Sequence, residues 1–134
     1  MRKPEQRLWD RMRDNVGSKV RLERVENVVT VGMPDVLALR NRVVTWVELK
    51  HVDAYPVRKD TPVLGKQHGL SRDQMNWHLD WRTWGGHSII LVGVERDIYA
   101  IDGTMADEVN SFSGWQLMEY ASATNWCGLV EILG

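Results

Sequence analysis

Three polar side chains in the stretch GMPDVLALRNRVVTWVELK, residues 32–50, are spaced to do chemistry together: Asp35, Glu48 and Lys50. Val36–Leu39 and Val43–Lys50 read as two strands joined by the polar turn Arg40-Asn41-Arg42. Side chains alternate along a strand, so Glu48 and Lys50 leave one face while Val47 and Leu49 leave the other. Asp35 stands at the mouth of the first strand. Two carboxylates offer Mg²⁺ the oxygen ligands it takes while it keeps several waters. A lysine beside them supplies positive charge where a reaction at phosphorus gains negative charge. The plainer alternative is a buried ion pair of Lys50 with Glu48 or Asp35. A Glu-x-Lys triplet is common by itself, and its context gives it weight. Residues 43, 44, 46, 47 and 49 are all hydrophobic, which implies burial on both faces, where unpaired charge is costly.

The surrounding chain has elements able to hold such a site. Residues 4–14 form an amphipathic helix with Pro4 and Glu5 in its first turn and Leu8, Trp9 and Met12 on one side. Residues 20–31 alternate loosely, and Val28-Val29-Thr30-Val31 favours a strand. Asp53–Leu70 has no period and carries Arg58, Lys59 and Lys66 among prolines and glycines. It is expected to be a basic flap whose cations meet phosphates and which orders on substrate; a solvated charged loop is the alternative. Ser71 and Gln74 are spaced as a capping box opening a helix that Gly85-Gly86 ends. Trp77, Trp81 and Trp84 share a face with Gln74 and read as core packing before a base-stacking platform. His87–Val94 is apolar enough for a central strand. A short strand at 98–101, a helix from Thr104 to about Phe112, a helix over 115–121 and an edge strand over 128–133 complete the pattern. The order α-β-β-β-α-β-β-α predicts a mixed α/β domain with helices flanking one sheet. His51, His68, His78 and His87 share no ligand spacing, and His51 reads as structural.

Composition narrows the class. A chain of 134 residues, 43% hydrophobic and 26% charged, fits one globular domain spanning 1–134. The single cysteine, Cys127, excludes an intrachain disulfide and a cysteine-rich zinc site. No apolar run reaches the roughly 20 residues of a membrane span, and the N-terminal residues lack a signal peptide's apolar stretch. A cytoplasmic protein is expected. The net charge of −1 hides a polarity: residues 1–82 hold 16 Lys and Arg against 11 acids, and residues 83–134 hold 1 against 7. One basic face for a polyanion is expected, with simply mixed surfaces as the alternative, and the acidic third, containing Trp115 and Trp126, is a candidate for partner contacts.

The residues Pro34-Asp35, followed thirteen positions later by the glutamate of Glu48-Leu49-Lys50, resemble the PD-(D/E)xK nuclease superfamily. GMPDVL…WVELK, then SRDQMNW, a glycine turn and IILVGV, are most similar to its VRR-NUC and archaeal resolvase-like branches, although no Val-Arg-Arg tripeptide occurs. The resemblance implies a restriction-endonuclease-like fold with an α-β-β-β-α-β core. It also implies Mg²⁺-dependent hydrolysis of DNA phosphodiesters, with Mn²⁺ able to substitute, and commonly a homodimer. Asp35, Glu48 and the backbone carbonyl of Leu49 would then hold the metal. Lys50 would orient or deprotonate the attacking water, leaving a 5′-phosphate and a 3′-hydroxyl. Gln74 would support the site, and Glu5 would be the first helix's acid, with Glu23 and Glu26 as rivals. Branched DNA such as a Holliday junction, in repair or recombination, is the leading expected substrate, and a phage is one expected source. A restriction, nicking or duplex-repair nuclease of the same fold is an alternative, as is a DNA-binding module without catalysis.

Overall fold

The computed structural model describes residues 4–26 and 30–134. Helix α1, Pro4–Val16, buries Leu8, Met12 and Val16, one residue per turn on a single stripe. Strands β1 (Arg21–Arg24), β2 (Val36–Arg40), β3 (Val43–Val52), β4 (His87–Val94) and β5 (Asp97–Asp102) form one sheet in the order β1-β2-β3-β4-β5. All neighbours pair antiparallel except β3 and β4, which run parallel. A parallel pair needs a crossover. Residues 53–86 provide it, with helices α2 (Gly65–His68) and α3 (Arg72–Thr83). Beyond β5 come two 3₁₀ turns, Gly103–Met105 and Val109–Ser111, and helices α4 (Gly114–Tyr120) and α5 (Trp126–Ile132).

The sheet separates two apolar cores. Val47 and Leu49 of β3 pack with α1 and with Leu129, Val130 and Leu133. Ile90 and Val92 of β4 pack on the other side with Leu64, Leu70, Phe112 and Leu117. This is the mixed sheet flanked by helices that the sequence predicts. Among the described residues no helix is long and apolar enough to cross a membrane.

Several elements differ from expectation. The first strand is Arg21–Arg24, ahead of the valine run; Thr30 and Val31 lie in a bend and turn, and Val28 and Val29 fall outside the described residues. β3 is not buried on both faces throughout: Val44 is 40% exposed near the hairpin end, and unbroken burial covers only Val47, Glu48 and Leu49. The expected helix from Thr104 is the pair of 3₁₀ turns, capped by Asp102, whose side chain accepts from the Thr104 N–H. The expected edge strand at 128–133 is α5 instead. Asn125 caps it by accepting from the Gly128 N–H, and Leu129 and Leu133 sit one turn apart against α1's side of the core. The 53–70 segment is tied down rather than open: Val63 N–H donates to Phe112 O at 2.9 Å, and Leu70 N–H donates to Asn110 Oδ1 at 2.8 Å.

Gly32 fixes the approach to Asp35. Its φ is +82°, and a Cβ there would lie 2.4 Å from the Asp73 carbonyl oxygen in the first turn of α3. Gly32→Ala therefore meets both backbone strain and a backbone clash. It is expected to cost about 2 kcal/mol or more of unfolding free energy, measured by urea denaturation; an unchanged midpoint would contradict this packing.

Candidate active site

Register, more than proximity in sequence, assembles the site. Arg40 pairs with Val43, leaving Asn41 and Arg42 as a two-residue turn with φ of 50° and 69°. Positive φ at both positions suits the right-handed twist of a hairpin. With Val36 opposite Val47, the next position outward sets Asp35 across from Glu48. Asp35 also replaces a ladder acceptor: its Oδ2 takes the Leu49 N–H at 3.2 Å.

Glu48 is 1% exposed. Burial holds its carboxyl well above the ordinary range, and Asp35 pushes it further through its charge and a hydrogen bond between the two carboxyls; Lys50 and Arg24 pull the other way. From α3, Gln74 Nε2 donates to Glu48 Oε2 at 3.3 Å. The same glutamine closes the capping box with Ser71, so its structural and site-supporting roles coexist. Glu48 Oε1 has no hydrogen-bond partner among the described residues, and neither has His78 Nε2, which faces it at 3.6 Å.

His78 is fully buried, and its Nδ1 lies 2.8 Å from Ser88 Oγ. Burial pushes the imidazole down to about 4, so it is neutral at pH 7 and its approach to Glu48 is dipolar rather than an ion pair. The sequence reading passed over this residue. Its signal was helical: His78 stands one turn beyond Gln74, so both reach the same carboxylate.

Asp35, Glu48, Leu49, Lys50, Gln74 and Glu5 line one cleft of about 190 Å³, joined by Gln6 and Arg24. Of the three N-terminal acids, Glu5 lies here. Glu23 is exposed and paired with Arg21 at 2.8 Å, and Glu26 is exposed; neither lines the cleft. The basic loop residues do not join it. Arg58 and Lys59 line a separate groove with Trp115, and Lys66 is exposed on α2. The tryptophan stripe is not core either. Trp77 and Trp81 are half-buried and stacked at 5.2 Å with Trp46 edge-on to Trp77, while Trp84 is 84% exposed. His51 packs behind the sheet with Nε2 3.4 Å from Asp53, and burial lowers its pKa. Trp126 is half-buried under the Arg11 guanidinium.

The donor set fits a hard divalent ion. A buried carboxylate that lines the cleft with one oxygen unbonded, beside a second carboxylate, suits an oxygen-seeking cation. Among the described residues, however, no three His, Cys, Asp or Glu side chains are grouped to hold a metal by themselves. An ion here would complete its shell from backbone oxygen, water and substrate.

The architecture is a restriction-endonuclease-like α/β fold. It superposes on Hjc, a Holliday junction resolvase from the archaeal hyperthermophile Archaeoglobus fulgidus, with a TM-score of 0.63 over 96% of this chain and 98% of that one. The two are 16% identical, so the likeness concerns the fold and carries no assignment to the VRR-NUC branch. No protein-family model matches the chain, and no curated protein does.

Proposed function

We propose that this protein is a Mg²⁺-dependent endodeoxyribonuclease that cuts branched DNA, with Mn²⁺ able to substitute. The observation that carries the reading is the meeting of Asp35, Glu48, Leu49, Lys50 and Gln74 around one cleft. Asp35, Glu48 and the Leu49 carbonyl would hold the cation, which when bound supplies Lewis acidity toward the phosphoryl oxygen and a more acidic water. Lys50 places its ammonium beside the carboxylates, where it orients the attacking water and offsets charge growing on the phosphate. Gln74 restrains Glu48 from the helix side through its hydrogen bond, with His78 packed behind the carboxylate. Glu5 adds an acid at the rim for a water or a second ion. The chain's fold is that of a Holliday junction resolvase, which supports branched DNA as substrate. A homodimer would match two such clefts to the two-fold geometry of a four-way junction.

One observation favours a second reading. The lack of a three-residue metal cluster among the described residues suits a DNA-binding module that keeps the fold without hydrolysis. A panel of junction, flap, duplex and single-stranded DNA, incubated with Mg²⁺ or with EDTA at fixed salt, separates the two. Cleavage in Mg²⁺ alone, fastest on the junction, is expected. No cleavage of any member would leave the binding module.

A further inference from the structure

On the acidic side of the chain, Trp115 is 71% exposed and Met118, one turn along α4, is 56% exposed. An indole and a thioether this open on a short helix have no role in packing: Leu117 between them makes the core contact. Across from them, Tyr55 and Pro56 wall a groove of about 300 Å³ that Arg58 and Lys59 also line. Tyr55 is anchored, its hydroxyl hydrogen-bonded to Asp97 and Tyr99. No acidic side chain lines the groove, although residues 83–134 carry 7 acids and one base. Two cations from the basic part of the chain thus stand against an aromatic surface from its acidic part.

We propose that this groove binds unpaired nucleotides of DNA, one base lying on Trp115 with Arg58 and Lys59 on the flanking phosphates. Each chemical part of a nucleotide finds its counterpart: a flat apolar surface for the base, cations for the backbone, and room for a nucleoside. A peptide partner would gain nothing specific from adjacent cations unless it were acidic, and acidic peptides have no need of an open indole. The groove begins three residues beyond the end of β3, the strand that carries Glu48 and Lys50. The proposal rests on the DNA reading above and makes it specific: the preferred substrate carries a single-stranded stretch beside the branch.

The test is fluorescence anisotropy in EDTA at fixed salt, with a labelled oligodeoxythymidine of about 12 nucleotides and a blunt duplex of equal length. Trp115→Ala is expected to weaken binding of the single strand about 5- to 100-fold while duplex affinity changes less than about twofold. Trp115→Phe should recover most of the loss. Three results would overturn the proposal: a wild-type protein that does not bind the single strand, an alanine variant that binds both probes as the wild type does, or equal losses on both. A change in sedimentation on Trp115→Ala would also overturn it, by assigning the surface to self-association. Because these measurements need no metal and no turnover, they stand apart from the cleavage panel. A protein that fails to cut but shows the selective loss keeps the groove and loses the nuclease.

Discussion

Asp35→Asn should lower Mg²⁺-dependent DNA cleavage about 10³-fold while leaving the protein folded. The asparagine is chosen over alanine because Asp35 has two jobs. Its Oδ2 accepts the buried Leu49 N–H at 3.2 Å, and an orphaned backbone donor there would cost about 1–3 kcal/mol. The amide oxygen of asparagine can still accept that bond, so folding is preserved and only the negative charge is lost. Removing one of two carboxylates from an ion's shell withdraws several kcal/mol of transition-state stabilisation, and each 1.36 kcal/mol is tenfold in rate. Single-turnover cleavage at saturating DNA measures the loss, and circular dichroism checks the fold. Wild-type rates in Asp35→Asn would remove the mechanism, whatever the alanine variant did.

Glu48→Gln is expected to raise stability while abolishing cleavage. Burial, with Asp35 beside it, holds the Glu48 carboxyl well above the ordinary 4.5. The folded chain therefore keeps this proton over a pH range in which the unfolded chain has released it. The stability it contributes is complete below about pH 4.5 and declines as pH rises toward the folded value. Glutamine has no such dependence and can still accept from Gln74. The variant should match the wild type near pH 4 and become steadily the more stable of the two as pH rises above it, at up to about 1.4 kcal/mol per pH unit. Mg²⁺ should reverse the ranking. On the proposed mechanism it would bind the ionised carboxylate, so adding it should raise the Tm of the wild type and leave the variant unmoved. If the variant is less stable at pH 8 without metal, Glu48 is not the strained group described here.

How much of this was legible beforehand follows from which contacts are local. The hairpin around Asn41-Arg42 advertised its strands by their apolar runs and its turn by composition, whereas the register that sets Asp35 opposite Glu48 is a matter of pairing that no single strand encodes. Gln74 was equally legible through Ser71. His78 was not, because four scattered histidines show no spacing to one another; the relation that matters is to Gln74 on the same helix. α5 was mistaken for a strand because GLVEIL is short and apolar, and periodicity cannot separate the two over so few residues. The Asn125 cap was the signal available. The first strand was displaced for the opposite reason: RLER is mostly polar, and edge pairing with β2 overrode its low propensity. Arg58 and Lys59 were grouped with Lys66 by composition alone. The tie from Val63 to Phe112 bends that loop, and no pattern along the chain encodes it.

The parallel pairing of β3 with β4 has a kinetic consequence. Asp35 and Glu48 can meet as soon as one hairpin closes, a local event completed in microseconds. Gln74 and His78 arrive only when the crossover folds over and β4 docks, which requires closing a long loop before any contact repays it. Between those two events the carboxylates lie together in water without their restraining partners. A refolding chain should therefore gain hairpin signals before the near-ultraviolet signature of the Trp46, Trp77 and Trp81 cluster, which reports α3 settling on the sheet.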